Sequence, residues 1–100
     1  MSRRLSPMHP GEVLREEFME PLELSAGAIA SACHIPRTRI ERIAAEQVGI
    51  TADTALRLAK LFDTTPEFWM NLQDRYEIET VGASIARDLK TIATREPVAA

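Results

Sequence analysis

Several things are scarce in this 100-residue chain. It has one cysteine, Cys33, which cannot close an internal disulfide. With only two histidines beside it, Cys33 also makes a poor zinc set, so neither metal nor cofactor is expected. No apolar run approaches the roughly 20 residues of a membrane span. Residues 1–7 are followed by no apolar stretch of the kind a secretory signal needs, so a cytoplasmic, non-membrane setting is the expectation. The length rules out a doubly wound nucleotide fold or a barrel enzyme. Sustained alternation of apolar and polar residues is missing too, which argues against a sheet. So is any excess of basic charge. Twelve Lys and Arg stand against 15 Asp and Glu, a net charge of −3, which taken alone argues against a polyanionic partner.

What remains is a row of short helical segments separated by Pro, Gly and Ser/Thr. A first helix is expected from Pro10 to about Met19, with Pro at its first turn, Glu12, Glu16 and Glu17 near its positive end, and Val13, Leu14 and Phe18 on one side. A second starts after the N-cap Ser25 and runs through small residues to Cys33. A third spans Arg37 to about Glu46. Thr51 caps a fourth, Ala52 to Phe62, with Ala55, Leu56, Leu58, Ala59 and Phe62 as a broad apolar face. Thr65-Pro66-Glu67 opens a fifth. Thr80-Val81-Gly82 is read as a break, followed by a sixth segment, Ala83 to Thr94, and a frayed end from Glu96. The expected organisation is an arm over residues 1–7, an all-α domain over 8–80, and a partly helical extension over 81–100.

Residues 25–46 carry the most information. Two short helices joined by a three- or four-residue turn make a helix-turn-helix. Its steric requirements are a small residue where the second helix crosses the first, an apolar anchor after the turn, and inward apolar residues about one turn apart. Ala30, Ile35, and Ile40 with Ile43 meet them. The turn position that usually holds glycine holds His34. Histidine is among the non-glycine residues enriched at positive φ, so His34 reads as a turn residue, with a ligand role as the alternative.

With Ile40, Ile43 and Ala44 inward, Arg37, Thr38, Glu41 and Arg42 share one outward stripe and Arg39 lies at its flank. In a helix-turn-helix such a stripe enters the major groove, where Arg pairs with guanine and Thr meets a thymine methyl or a phosphate. The alternative is a solvated face, with Arg39 and Arg42 paired to nearby acids. Glu41 either accepts from a cytosine or holds a neighbouring Arg in place. Arg42 reaches either a base or a phosphate. The helix N-termini at Ser25 and Thr51 offer further N–H groups to phosphates. Residues 36–48 are also the only block with net positive charge, +1, whereas 1–20, 21–35, 49–72 and 73–100 are each −1. Arg3 and Arg4 either add a basic arm or belong to a disordered terminus.

Three blocks of the chain resemble HigA-type antitoxins: Met8-His9-Pro10-Gly11-Glu12-Val13-Leu14-Arg15-Glu16-Glu17-Phe18, then Gly49-Ile50-Thr51-Ala52-Asp53-Thr54-Ala55-Leu56-Arg57-Leu58-Ala59, then Asp63-Thr64-Thr65-Pro66-Glu67-Phe68-Trp69-Met70-Asn71-Leu72-Gln73. The resemblance covers roughly residues 8 to 77. It implies a five-helix, phage-repressor-like (XRE-type) domain with a C-terminal helical extension. It also implies a homodimer on double-stranded operator DNA at its own promoter, and a HigB-type, RelE-like ribonuclease toxin held inactive. Two departures weaken the implied DNA contacts. Ala26 and Gly27 stand where the family often has Gln, and Ala45-Glu46-Gln47-Val48 where it often has a basic loop. A solitary transcriptional regulator, or a helix-turn-helix used only to bind protein, are the competing readings. An enzyme is not expected, since adjacent Cys33 and His34 point apart and no orienting acid accompanies them.

Phe68, Trp69, Leu72 and Tyr76 form the last apolar stripe. In a monomer it would be core. So many aromatics on one late helix also fit burial of part of the stripe against a second copy, and a two-fold interface formed by this helix and the segment after it is expected.

Overall fold

A computed structural model describes residues 7–96. The arm carrying Arg3 and Arg4, and residues 97–100 of the expected frayed end, lie outside the described residues. The described chain is all-helical: α1 Pro10–Val13, continued by a π-helical stretch Leu14–Met19, α2 Ala26–Cys33, α3 Arg37–Ala44, α4 Ala52–Phe62, α5 Pro66–Ser84 and α6 Ala86–Thr91.

Local chemistry explains most of the starts and stops. His9 caps α1 through Nδ1, which accepts from the Gly11 N–H at 2.9 Å, and Pro10 takes the position whose N–H would be unpaired. Ser25, Thr51 and Thr65 each accept from the backbone N–H three residues on, which opens α2, α4 and α5. α2 ends at His34, which adopts φ 60° and ψ 45°. The Ile35 N–H then returns to the Ala30 carbonyl at 3.0 Å, closing the helix in the Schellman manner. Asp63 ends α4 in the same left-handed region.

Three expectations change. The first helix is not regular, because its second half widens to i→i+5 bonding, as in Glu20 N–H to the Arg15 carbonyl at 2.9 Å. Within this stretch Phe18 and Met19 both pack on the core. The break at Thr80-Val81-Gly82 does not occur, and α5 runs through it to Ser84. A glycine inside a helix costs only about 1 kcal/mol relative to alanine, and an established helix gains a hydrogen bond with each added residue. The turn comes instead at Ile85, where φ is −112°. Finally, Leu56 does not belong to the buried face of α4. It is 59% exposed, while Ala55, Leu58 and Ala59 are inside.

The core is one cluster in which Leu14, Ile29, Ile40, Ile43, Leu58 and Trp69 are all essentially solvent-free. Phe18 ties its aromatic end together, with ring centroids 4.7 Å from Phe62 and 5.0 Å from Trp69. α1 packs directly on α3: a side chain at Gly11 would overlap the Ile43 carbonyl, so only glycine admits this approach. No described helix is long and apolar enough to cross a membrane.

Candidate nucleic-acid interface

The α2–turn–α3 unit places one face of α3 in solvent. Ile40 and Ile43 anchor its other face, and buried Ala30 lets α3 cross α2 closely. Ile35 packs on the core as the anchor after the turn. The end of α3 is braced from outside the unit. Arg15 donates to the Ala44 carbonyl at 2.6 Å, satisfying one of the unpaired carbonyls of the last turn, and pairs with Glu46 at 3.3 Å. Arg15 carries no sequence signal for this role, because its partners lie about 30 residues away.

The stripe residues have different environments. Arg37 is open, its side chain 69% exposed, and its Nε lies 3.4 Å from Glu41 Oε2. This contact is the one that the holding role of Glu41 requires. Thr38 and Arg42 are exposed, and neither side chain has a hydrogen bond or ion pair among the described residues. Arg39, at the flank, pairs with Asp53 at 2.9 Å. Asp53 also accepts from Arg57 Nε at 2.7 Å, and Arg57 Nη1 donates to the Cys33 carbonyl at 2.8 Å. The bond from Arg57, followed by that from Arg39, holds the Asp53 carboxyl below the usual carboxylate range. The i,i+4 spacing of Asp53 and Arg57 is legible in sequence, but Arg39 joins them only through tertiary packing. The Ser25 and Thr51 hydroxyls are both engaged as caps, beside exposed helix N-termini.

Cys33 is buried, and burial pushes its thiol upward, away from the thiolate that nucleophilic chemistry needs. Among the described residues, no group of three or more His, Cys, Asp or Glu side chains is placed to hold a metal.

The expected interface stripe splits in two. Trp69 is not surface at all. It is fully buried, with Nε1 donating to Thr64 Oγ1 at 2.8 Å, so it cannot meet a second chain. Tyr76 is half-buried against the His9 ring, with centroids 4.7 Å apart at 68°. Phe68 and Leu72 instead line an open groove along α5 with Asn71, Arg75, Ile78 and Glu79. The helical period is the reason. Trp69 is rotated by 100° from Phe68, which carries it from the rim into the core.

Virulence-associated protein I of Dichelobacter nodosus is 50% identical over 72 residues, covering 72% of this chain and 67% of its own length. Antitoxin HigA-1 of Vibrio cholerae is 35% identical over 72 residues, covering 72% and 68%. Among solved structures, the Pseudomonas aeruginosa antitoxin HigA with the higBA promoter superposes with a TM-score of 0.85 at 41% identity, over 87% of this chain and 96% of that one. The chain belongs to the HigA antitoxin family. The antitoxin GraA in complex with its operator shares the fold at TM-score 0.86 and 37% identity, over 98% and 99% of the two chains. No family model matches the chain. Other relatives bear the name of HTH-type transcriptional regulators, and neither that name nor antitoxin describes an enzyme.

Proposed function

We propose that this HigA-family chain is an autorepressing antitoxin. As a homodimer it binds operator DNA at its own promoter through α3, and it neutralises a RelE-like, HigB-type ribonuclease. The observation that carries the DNA reading is the open stripe of α3. Arg37 is aligned by Glu41, and Thr38 and Arg42 are uncommitted among the described residues, on a helix-turn-helix two of whose structural relatives were solved with promoter or operator DNA. Arg37 is suited to a guanine and Arg42 to a base or phosphate. The exposed N-termini of α2 and α4 suit phosphates as well.

The groove along α5 supports the dimer. Phe68, Leu72 and Ile78 supply apolar surface, and Arg75 and Glu79 stand one turn apart in it. An isologous antiparallel pairing of α5 with its two-fold axis between these residues would bring Arg75 of one copy to Glu79 of the other. Two weakly basic faces on a dimer make good what one face lacks in charge. The acidic remainder of the chain suits a basic toxin.

An electrophoretic shift with the DNA upstream of the chain's own gene tests this reading. A sequence-specific shift is expected at low salt. Arg37→Ala is expected to weaken it by about 1–3 kcal/mol and to relax one base position. Absence of any specific shift overturns the repressor reading and favours a helix-turn-helix used only for protein binding. That alternative draws on the loop at 45–48, whose one charged side chain, Glu46, is tied to Arg15. Suppression by this chain of a ribonuclease encoded beside it tests the antitoxin role.

A further inference from the structure

The Arg39–Asp53–Arg57 cluster is not used by the stripe just described, yet it spans all three helices around the reading unit. Asp53 Oδ1 accepts from Arg57 Nε at 2.7 Å and from Arg39 Nη1 at 2.9 Å. Arg57 Nη1 reaches the carbonyl of Cys33, the last residue of α2, at 2.8 Å. A line of bonds therefore runs from the end of α2, through the first turns of α4, to the flank of α3. Two guanidiniums on one carboxylate leave the cluster one net positive charge. The tie occupies one terminal nitrogen of Arg39. Its Nε and Nη2 hydrogens have no partner among the described residues, and the side chain is 40% exposed.

We propose that Asp53 is a positioning residue for DNA binding, holding the Arg39 side chain at the flank of α3 with the free edge of its guanidinium available to a backbone phosphate. The proposal rests on the operator reading above. An arginine carries a large rotamer entropy, and a planar fork already fixed at one nitrogen loses less of it on meeting an anion. The remaining Nε–H and Nη2–H suit the paired oxygens of a phosphate. The tie of Arg57 to α2 fixes Asp53 in turn, so the pinned arginine is referenced to the helix-turn-helix itself rather than to a mobile side chain. This role opposes simple electrostatics. An acid near a polyanion repels it, so deleting Asp53 should by charge alone tighten binding.

That opposition of sign is the test. The full chain, Asp53→Ala, Arg39→Ala and the double variant are titrated onto a labelled duplex of the sequence directly upstream of the chain's gene, with a scrambled duplex of equal length as reference. Asp53→Ala is expected to bind the upstream duplex about 3- to 10-fold more weakly, Arg39→Ala by a similar factor, and the double variant no more weakly than Arg39→Ala. Equal or tighter binding by Asp53→Ala overturns the proposal. So does a loss that persists undiminished in the Arg39→Ala background, because Asp53 then acts through the fold and not through Arg39. If the unmodified chain does not distinguish the two duplexes, the operator reading falls and this proposal with it. A failed cycle on a chain that does distinguish them removes only the role of Asp53.

Discussion

The two halves of α5 are one continuous helix with opposite uses. In the first, Trp69 is fully buried against Phe18 and Phe62, and Gln73 reaches inward to accept from the Ile50 N–H at 2.7 Å while its Nε2 donates to Glu77. In the second, Ile78 is 72% exposed and Val81 51%, and Leu89 of α6 and Ile92 just after it are also in solvent. Residues of similar hydrophobicity thus hold the domain together at one end and stand unpaired at the other. The difference lies not in the helix but in what faces it. α1 and α4 close over the first half, and no described element covers the second. Large apolar side chains left open in this way fit the proposed dimer surface.

Breaking the first half should be costly. Trp69→Ala removes the largest buried side chain and its hydrogen bond to Thr64. It is expected to lower unfolding free energy by about 3–5 kcal/mol in urea titrations, a large part of the ~5–15 kcal/mol that a domain of this size holds. Gly11→Ala, at the α1–α3 approach, forces a Cβ into the Ile43 carbonyl and should cost about 1–3 kcal/mol. A wild-type urea midpoint for that variant would show that α1 can slide off α3. Gln73→Ala leaves the Ile50 N–H buried without its partner and should cost about 1–2 kcal/mol.

A pH dependence follows from His9 in the same half. Burial first of all lowers its pKa below the ordinary histidine value, with Glu46 opposing the shift and Arg15 adding to it. The unfolded chain then binds more protons than the folded one, so stability is fully present above the unfolded pKa and is lost as pH falls from there through the lower, folded pKa. Protonation also removes the lone pair with which Nδ1 accepts from Gly11. The urea midpoint should therefore drop between pH 7.5 and pH 5.5. His9→Asn, which can still cap, should flatten that drop.

The smallest effect on the monomer belongs to the second half. Ile78→Ser is expected to change unfolding free energy by no more than ~0.5 kcal/mol at dilutions where the chain is monomeric. The same variant should shift sedimentation equilibrium towards monomer at higher concentration. A wild-type dimer in the variant would place the interface elsewhere than the α5 groove.

The particular residues show why some of this was readable in advance. Ser25, Thr51 and Thr65 cap through N–H groups three residues away, and Pro66 acts at its own position. Such short-range chemistry appears directly in sequence. Ala30, Ile35, Ile40 and Ile43 were legible because the helix-turn-helix imposes size and spacing at fixed offsets. Even the missing glycine was interpretable, since His34 tolerates the left-handed turn it occupies. Leu56 and Trp69 were misplaced for one shared reason. Periodicity defines an apolar arc but not its edges, and a residue at the edge goes in or out according to the neighbour that packs there. The π-widening at Leu14–Met19 and the run of α5 through Gly82 have no local signature comparable to a cap or a proline.

The amino-acid sequence by itself determined the all-helical class, the start of nearly every helix, the helix-turn-helix at 25–46 and the family. All of these rest on interactions within a few residues or on motif spacing. Tertiary structure alone decided that Arg39 is tied to Asp53 while Arg42 has no partner among the described residues, that Arg15 braces the end of α3, and that Trp69 is core while Ile78 is surface. Each of those outcomes depends on atoms that come within about 3 Å, or fail to, only after helices distant in sequence have packed. Burial and charge pairing are set by that proximity, not by neighbours along the chain.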